Sequence, residues 1–338
     1  MTRFLILLTL LGAAAVPVVR AQVLPSYGED RAGTSGFQFL KVPVDPRGAA
    51  LGGTAVATAN DASALFWNPA LASRGAAGTG GTEVSVAHLA YVSDISMVYG
   101  AAIRQIGPVT VGLHVQALDS GEMLVTDEFS GPTGTGETFS YTGLVGGLTV
   151  GQALTDLFSY GVTAKVARES SADVAATVGL LDLGVHYAIG QTGASIGVAI
   201  RNFGLNSALA GDLTRTTAQG TPVTESTFDD IVPPTTFLLG VSYDVLRQTE
   251  GSQLTVSGQL TNPNDNAERL NVGAEYTWNQ LLAVRAGYQF GVEEASLPTF
   301  GFGVHVPGLG RTRLRADYGF AQLDRLGATH RIGVNLSL

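Results

Sequence analysis

The chain has 338 residues, with 28 Asp and Glu against 19 Lys and Arg, a formal net charge of −9 and no cysteine. The acidic balance and the absence of a basic run argue against nucleic acid as a partner, and a chain without cysteine has neither disulfides nor thiol catalysis. Only 14% of the residues are charged, 44 are glycine, and the mean hydropathy is +0.23. This composition is wrong for a soluble protein of this size and fits a chain whose apolar surface faces lipid.

Residues 1–21 have the pattern of a secretory signal peptide. Arg3 precedes an apolar run from Phe4 to Val19, and a cleavage site after Ala21 leaves Gln22 first. No later segment approaches 18 uninterrupted apolar residues, which argues against a helical membrane protein. We therefore expect an exported protein that does not cross the membrane with helices.

The stretch of residues 37–71 is built differently from the rest of the chain. Between residues 49 and 59 almost every side chain is small, so the backbone there can pack closely against its surroundings while burying little apolar surface. Asp61 is suited to cap a short helix over 62–66, and Pro69 ends it. These features predict a compact plug that contains a short helix.

From residue 82 onward, segments of about ten alternating residues separated by turn chemistry indicate a transmembrane barrel, which in bacteria has an even number of strands. The odd-numbered connections include the two longest, 120–137 and 204–233, and the even-numbered ones are short, as expected if the first strand runs outward from the periplasm. In the outer connection 172–177 the sequence favours a short helical turn. We predict fourteen strands, at 82–91, 95–106, 108–118, 138–151, 158–169, 177–189, 193–203, 234–246, 252–262, 269–278, 281–291, 297–307, 311–321 and 328–338.

Side-chain parity supports the barrel. In the last strand one face carries only apolar side chains from Ile332 to Leu338, and the other carries Arg331, Gly333, Asn335 and Ser337. A soluble two-sheet sandwich would need polar outer faces, but here the outer face would be one continuous apolar band. We therefore predict an all-β fold, a 14-stranded antiparallel transmembrane β-barrel with a small N-terminal helix-containing plug. The chain divides into a signal peptide (1–21), an N-terminal periplasmic segment and plug (22–80) and an outer-membrane barrel (81–338).

Charged side chains gather at inward positions on strands ten to thirteen. We expect them to pair with one another or with the plug, because a buried guanidinium needs a carboxylate to offset its desolvation. Arg47 in the plug is then a partner for Glu275 or Asp317, and the alternative role of the charges is to guide a polar solute. The predicted network is Glu275, Arg285, His305, Arg313, Arg315 and Asp317.

The order of residues in the plug resembles the N-terminal segment of the PorV/PorQ family, outer-membrane barrels of the wider FadL-like class that are associated with type IX secretion. The resemblance covers about 35 residues. It implies that the segment is a plug inside a barrel in the bacterial outer membrane, in contact with outer-membrane lipid and reached from the periplasm. The matching positions include Arg47, Gly52, Gly53, Asp61, Trp67, Asn68 and Pro69.

No sequence signature indicates catalysis, a cofactor or a metal. The five histidines are far apart without HExxH or paired-ligand spacing, there is no GxSxG, and the glycines of the fourth strand are not followed by the Lys-Ser/Thr of a phosphate loop. We therefore expect a non-enzymatic protein without cofactors.

Two functions fit this fold. The resemblance implies a component of type IX secretion or surface attachment that binds the translocon, or secreted proteins with a C-terminal sorting domain, through its outer loops. The alternative is a FadL-like channel for hydrophobic small molecules such as fatty acids, which needs an apolar pocket near the outer face and a plug that shifts or leaves a lateral opening. The inward positions assigned from the sequence are small or polar, which ranks the channel second. An apolar row on an inward face would reverse that order.

Overall fold

A computed structural model describes residues 32–79, 81–126, 134–216, 221–249, 251–292, 297–307 and 312–338. Within these residues the chain forms a closed barrel of fourteen antiparallel strands with a small helical segment at its N-terminal side, so the predicted fold class and strand number are confirmed. The predicted signal peptide and residues 22–31 of the segment that follows it lie outside the described residues.

Each barrel strand pairs with its neighbours in chain order, and the first strand closes the barrel by pairing with the last, from Glu83 opposite Ser337 to Ala90 opposite His330. The strands are β1 Thr82–Ala90, β2 Ser96–Ile106, β3 Val109–Asp119, β4 Tyr141–Ala153, β5 Phe158–Ser171, β6 Val174–Ala188, β7 Ala194–Gly204, β8 Thr236–Thr249, β9 Ser252–Pro263, β10 Arg269–Trp278, β11 Leu282–Phe290, β12 Thr299–Pro307, β13 Arg313–Leu323 and β14 Gly327–Ser337.

The connections divide the barrel into two ends. Those after odd-numbered strands, including 120–140 and 205–235, lie at what we call the long-loop end, and those after even-numbered strands lie at the short-turn end. Two small hairpins, Met123–Leu124 with Thr138–Phe139 and Leu213–Thr216 with Pro222–Glu225, belong to the two long connections. The helical turn predicted at 172–177 is wrong, because β6 already begins at Val174 and continues the ladder with β5.

Alternation along each strand separates an apolar outer face from the lumen. On β14, 59% of Ile332 is exposed but only 6% of Arg331, its neighbour in sequence. Valines and leucines on other strands, such as Val86, Leu113 and Val166, are also more than half exposed. Because an apolar surface of this kind is stable only against lipid, the same pattern that specifies the strands specifies their environment.

Residues 32–79, which we call the N-terminal segment, run through the lumen between the two ends. The segment contains three short helices, α1 Pro46–Ala50, α2 Ala64–Trp67 and α3 Ala72–Thr79, and two 3-10 turns, Gln38–Lys41 and Pro69–Leu71. None of the helices in the described part of the chain has the length and hydropathy needed to span a membrane.

The short helix predicted over 62–66 is displaced by two residues at its start. Asp61 accepts a hydrogen bond from the Ser63 amide at 2.7 Å and shapes the turn before α2, while the helix itself begins at Ala64. It ends at Trp67 because Asn68, which precedes Pro69, is extended (φ −160°).

The pairing of β6 with β7 is interrupted near the long-loop end. Asn202 adopts a left-handed conformation (φ 58°), and the register shifts between Leu181 and Leu183. The ladder stops at Leu180 opposite Gly204, and beyond it only Ala210–Gly211 pairs with the start of β6. The edge of β6 at 176–179 therefore has no strand partner on this side among the described residues. We call this place the β6–β7 seam.

Candidate functional site

The N-terminal segment rests on a ring of inward-facing glycines, which we call the glycine belt. At each of these glycines an atom of the segment lies within 3.0 Å of the position that a Cβ atom would take, so no larger residue fits without a shift. At six of these glycines, on β4, β5, β7, β10, β11 and β13, the close atom belongs to the backbone of the segment, so segment and wall meet there backbone to backbone. The belt consists of Gly151, Gly161, Gly184, Gly197, Gly240, Gly273, Gly287, Gly301, Gly319 and Gly333.

Gly52 and Gly53 form the turn that follows α1. Both have positive φ values, 69° and 85°, which L side chains rarely adopt. A Cβ atom at Gly52 would meet the Tyr288 amide nitrogen at 2.9 Å, and the Gly52 carbonyl accepts a hydrogen bond from Gln289 at 3.1 Å. These two glycines allow the segment to turn directly against β11.

Trp67, Asn68 and Pro69 connect the interior of the segment to the wall. Trp67 Nε1 donates to Asp45 Oδ2 at 3.1 Å, which fixes α2 against the start of α1. Asn68 is fully buried, and its Nδ2 donates to the carbonyls of Val56 (2.9 Å) and of Val185 on β6 (3.1 Å). The Pro69 carbonyl lies against the belt on β4 and β5.

A set of buried ion pairs joins the segment to strands β10 to β13. Arg47 donates to both carboxylate oxygens of Glu275, at 2.9 and 2.8 Å, a bidentate pairing that holds a guanidinium firmly. Arg285 contacts the same carboxylate and, at 2.7 Å, Asp317. Arg315 lies 2.6 Å from Asp317 and also pairs with Asp61 of the segment. We call these six residues the ion cluster: Arg47, Asp61, Glu275, Arg285, Arg315 and Asp317.

The other two residues of the predicted network lie outside these pairs. His305 faces inward beside the cluster, and its Nε2 is buried with no hydrogen-bond partner among the described residues. Arg313 lies toward the short-turn end, where it lines a cavity of about 420 Å³ with Arg315 and Asn335. A neighbouring cavity of about 440 Å³ is also polar and contains the exposed edges of Arg47 and Glu275. The structure thus brings together most of the predicted charges and places His305 and Arg313 at their edge.

At the long-loop end of the lumen, strands β1, β2, β4 and β6 present large apolar side chains inward. Three side chains of the N-terminal segment fill it from the centre, and the wall residues close around them. The sequence-based assignment of small or polar inward positions is wrong here. We call this set the apolar cluster: Phe37, Phe39, Leu40, Leu89, Met97, Val145, Val178 and Leu180.

The part of the segment that fills the apolar cluster, Ser35 to Lys41, is tied to three places on the wall, and we call it the strap. The Phe37 amide donates to Glu169 Oε2 on β5 at 2.8 Å, and Phe37 holds a left-handed conformation (φ 53°). Gly36 N–H donates to the Val232 carbonyl in the β7–β8 connection. The strap therefore lies at the long-loop end, so that the segment reaches both ends of the barrel and does not stay at the short-turn end.

Lys41 and Gln38 hold the strap to Asp265, in the connection between β9 and β10. Lys41 Nζ lies 2.9 Å from the carboxylate and Gln38 Nε2 donates to it at 2.7 Å. Burial alone would raise the pKa of Asp265, but these hydrogen bonds and the Lys41 charge outweigh it and hold that pKa below its usual value.

A second polar group, which the sequence did not indicate, lies beneath the apolar cluster. Lys165 on β5 pairs with Asp182 on β6 at 2.6 Å, and the Asn202 amide donates to the same carboxylate. Arg201 on β7 stacks its guanidinium 3.8 Å above the Phe66 ring and donates through Nη2 to the Leu40 carbonyl at 3.1 Å. Nothing in the spacing of these residues distinguishes them, because they come from three strands whose register only the fold defines.

Neither polar group has the composition of a catalytic or metal site. Among the residues that the structure describes, no three His, Asp or Glu side chains are grouped closely enough to hold a metal ion. The interactions that the two groups show are ion pairing in the ion cluster and, at the long-loop end, apolar contact above a buried guanidinium.

Searches with protein-family models and against curated proteins gave no match to the sequence. Solved structures do match over most of its length. The toluene transporter TodX of P. putida is similar with a TM-score of 0.58 at 12% identity, over 86% of this chain and 95% of TodX. The toluene transporter TbuX of Ralstonia pickettii gives 0.55 at 14% identity, over 86% and 96%.

A FadL homologue of Pseudomonas aeruginosa is similar to the same extent, with a TM-score of 0.57 at 13% identity, over 87% of this chain and 98% of the homologue. At these identities the similarity establishes a shared fold, a 14-stranded FadL-like barrel. It gives no support to the PorV/PorQ branch, which stays a prediction from the residues of the plug motif.

Proposed function

We propose that this protein is a non-enzymatic outer-membrane channel for small hydrophobic molecules, with its binding site in the apolar cluster at the long-loop end. The observation that carries the proposal is the row of buried apolar side chains on β1, β2, β4 and β6 that packs around the strap at the long-loop end of the lumen. Such a row is the feature that separates a channel for apolar molecules from the secretion role. The shared fold with two toluene transporters supports the same choice.

The long-loop end faces the outside in this proposal, as the lengths of the connections favour. A ligand that enters there meets the N-terminal segment, whose backbone contacts with the glycine belt close the direct path to the short-turn end. The β6–β7 seam offers a route beside the apolar cluster. Leu180 faces the cluster, and Leu181 and Phe203 face lipid with 44% and 56% of their surfaces exposed. The ligand therefore passes from the cluster into the bilayer without crossing the polar part of the lumen.

Filling the apolar cluster tests the proposal. Val178→Trp adds bulk to a side chain that is 5% exposed in the cluster, and Val86→Trp makes the same change on the lipid face, where 58% of the valine is exposed. In a host that lacks its own hydrocarbon transporter, we expect saturable uptake of labelled toluene or dodecanoate with the unchanged protein and with Val86→Trp. Uptake should fall to the vector level with Val178→Trp.

One result would contradict the channel function and would lead to a test of the secretion role. If the unchanged protein gives no uptake above the vector with either probe, the channel function is wrong. Purification of the tagged protein from its own host in mild detergent then decides the alternative. Recovery of a large translocon barrel, or of secreted proteins that share a C-terminal sorting domain, would support the PorV/PorQ secretion role.

A further inference from the structure

The cavity of about 440 Å³ beside the ion cluster has a lining that suits a polar ligand and not an apolar one. Its only apolar side chains, among the described residues, are those of Ala57, Ala188 and Ala194. Gly193 in the β6–β7 turn and Gln280 in the β10–β11 turn border it, so it lies at the short-turn end, away from the apolar cluster. Its volume is in the range of about 300–1,000 Å³ that is usual for small-molecule sites. A ligand of this cavity is therefore a polar molecule that arrives from the short-turn end.

Asp244 on β8 is the carboxylate of this lining that has no cationic partner. It follows Gly240 and Ser242 along the inward face of β8. Its Oδ1 accepts hydrogen bonds from Thr255 Oγ1 at 2.6 Å and from Gln253 Nε2 at 3.3 Å. In the part of the chain that the structure describes, no lysine, arginine or histidine forms an ion pair with Asp244, and no donor reaches its Oδ2. One carboxylate oxygen is therefore available to a ligand.

The other charges around the cavity cancel. The three arginines of its lining, Arg47, Arg285 and Arg315, belong to the ion cluster, in which three arginines meet three carboxylates. His305 also lines the cavity, and an imidazole adds no charge at about pH 8. Asp244 is then the one charge without a counter-charge. The cavity attracts cations and repels anions.

The neighbours of Asp244 favour an ammonium group over a metal ion. The Ser195 and Ser242 hydroxyl oxygens lie 2.7 Å apart on the adjacent strands β7 and β8, and Thr277 lines the cavity from β10. Calcium and magnesium are bound mainly by carboxylates and carbonyls, and no group of three acidic or histidine side chains exists among the described residues. An ammonium group has three N–H donors, which match one carboxylate oxygen and nearby hydroxyl oxygens.

We propose that this cavity binds a small organic cation, a primary ammonium compound with hydroxyl or other polar substituents, and that Asp244 is its counter-charge. The ammonium group donates to Asp244 Oδ2 and to the hydroxyl oxygens of Ser195 and Ser242. The polar substituents have Thr58 and Asn60 of the N-terminal segment as partners on the other side of the cavity. This inference goes beyond the proposed function and does not rest on it, because the ligand, the end of the lumen and the residues are all different.

The test compares three probes of similar length at pH 8: 4-aminobutanol, which is a cation, 1,4-butanediol, which is neutral, and 4-hydroxybutanoate, which is an anion. The full chain is placed in nanodiscs of zwitterionic lipid, and each probe is titrated by saturation-transfer NMR against empty nanodiscs. We expect saturable binding of the amine, at least about ten-fold tighter than that of the diol, because its ammonium group makes a charge-assisted hydrogen bond. The anion should show no saturable binding. This comparison needs no variant.

Two variants then assign the preference to its residue. Asp244→Asn keeps the shape of the side chain and an oxygen for Thr255 but removes the charge, and it should bring the affinity for the amine within about two-fold of that for the diol. Asp156→Asn removes an exposed carboxylate in the β4–β5 turn at the same end, outside the cavity lining, and should keep the preference. Heat-dependent migration in detergent gels shows whether each barrel is folded before binding is measured.

Several results would overturn the cation site. Equal affinities for the amine and the diol in the unchanged protein would do so, and so would the absence of saturable binding of either. A preference that survives in Asp244→Asn would place the ammonium group elsewhere, and one that Asp156→Asn also removes would reflect the general charge of this end and not the cavity. None of these results affects the uptake of toluene or dodecanoate, so the channel function is decided by its own test.

Discussion

Strands β10–β13 and strands β5–β7 carry buried charges in opposite ways. In the ion cluster each of the three arginines meets a carboxylate, and each of the three carboxylates meets an arginine. On β5–β7, Lys165 pairs with Asp182, and Arg201 contacts, among the described residues, the Leu40 carbonyl and the Phe66 ring. Balanced charges hold a structure together, but an unbalanced one is a cost unless something binds to it.

The difference coincides with a difference in surroundings. The ion cluster borders polar cavities at the short-turn end, and Arg201 lies under apolar side chains at the long-loop end. One side of the lumen is therefore suited to hold the N-terminal segment in place, and the other to receive an apolar ligand. Three changes test this division.

The largest effect is expected from Arg285, which is 4% exposed and joins two carboxylates. Arg285→Met leaves Glu275 and Asp317 with one arginine each in a buried site, and we expect the barrel to lose roughly 3 kcal/mol of unfolding free energy. Arg201→Met makes the same change where no carboxylate depends on the cation, and we expect a change within about 1 kcal/mol. Urea unfolding in lipid vesicles measures both.

The difference between the losses of unfolding free energy in the two variants is more informative than either loss alone. A loss of similar size in both would show that Arg201 stabilises the fold as Arg285 does, and the division of the lumen would then be wrong. A large loss in Arg285→Met alone would support it.

The second effect concerns the glycine belt. A Cβ atom at Gly287 would collide with the backbone of the segment at Gly52, and one at Gly146, on the outer face of β4, meets nothing within 4 Å. We expect Gly287→Ala to cost about 1–3 kcal/mol of docking free energy, since a tightly packed backbone must shift, and to speed proteolysis of the N-terminal segment. Gly146→Ala should leave proteolysis unchanged, and equal rates in both variants would contradict a belt that seats the segment.

The ion cluster could be predicted from the sequence because charged residues are conspicuous in strands that otherwise consist of apolar, small and uncharged polar residues. Once parity placed Glu275, Arg285 and Asp317 inward on neighbouring strands, a partner for Arg47 had to be close. The fold class and the strand count followed from the same alternation. The belt was not predicted, because a single glycine in each strand is common and only the register aligns them at one height.

The apolar cluster was missed for a related reason. On β2 the inward side chains Met97 and Ile103 alternate with apolar outward ones such as Val98, so both faces are apolar and periodicity no longer tells them apart. Arg201 has the same inward parity as Gly197 and Ala199, but its contacts come from the N-terminal segment, so no local pattern on β7 marked it as part of a polar group. A strand that is apolar on both faces, beside strands that alternate cleanly, is the signal that would have indicated the cluster.

The smallest effect is expected at the attachment of the strap to Asp265, which separates release of the strap from disruption of the fold. Because Lys41 and Gln38 hold the pKa of Asp265 below its usual value of about 3.9, the attachment is complete above that value and is lost as the pH falls through the lower, folded-state pKa.

The chain has no cysteine, so Leu40→Cys introduces a single thiol at a position that is 3% exposed. We expect the rate at which this thiol reacts with a dipyridyl disulfide, divided by the rate of the same thiol in an Asp265→Asn background at the same pH, to be several-fold below one from pH 7 down to about 3.9. The ratio should rise toward one only as the pH falls through the lower, folded-state pKa. The Asp265→Asn background is the reference because a neutral amide no longer pairs with Lys41, so the strap lacks this salt bridge at every pH; dividing by its rate removes the intrinsic pH dependence of the thiol. If this ratio stays close to one across the whole range, with the barrel still folded, the strap is held by its apolar contacts alone, and a ligand must compete with those contacts and not with the salt bridge.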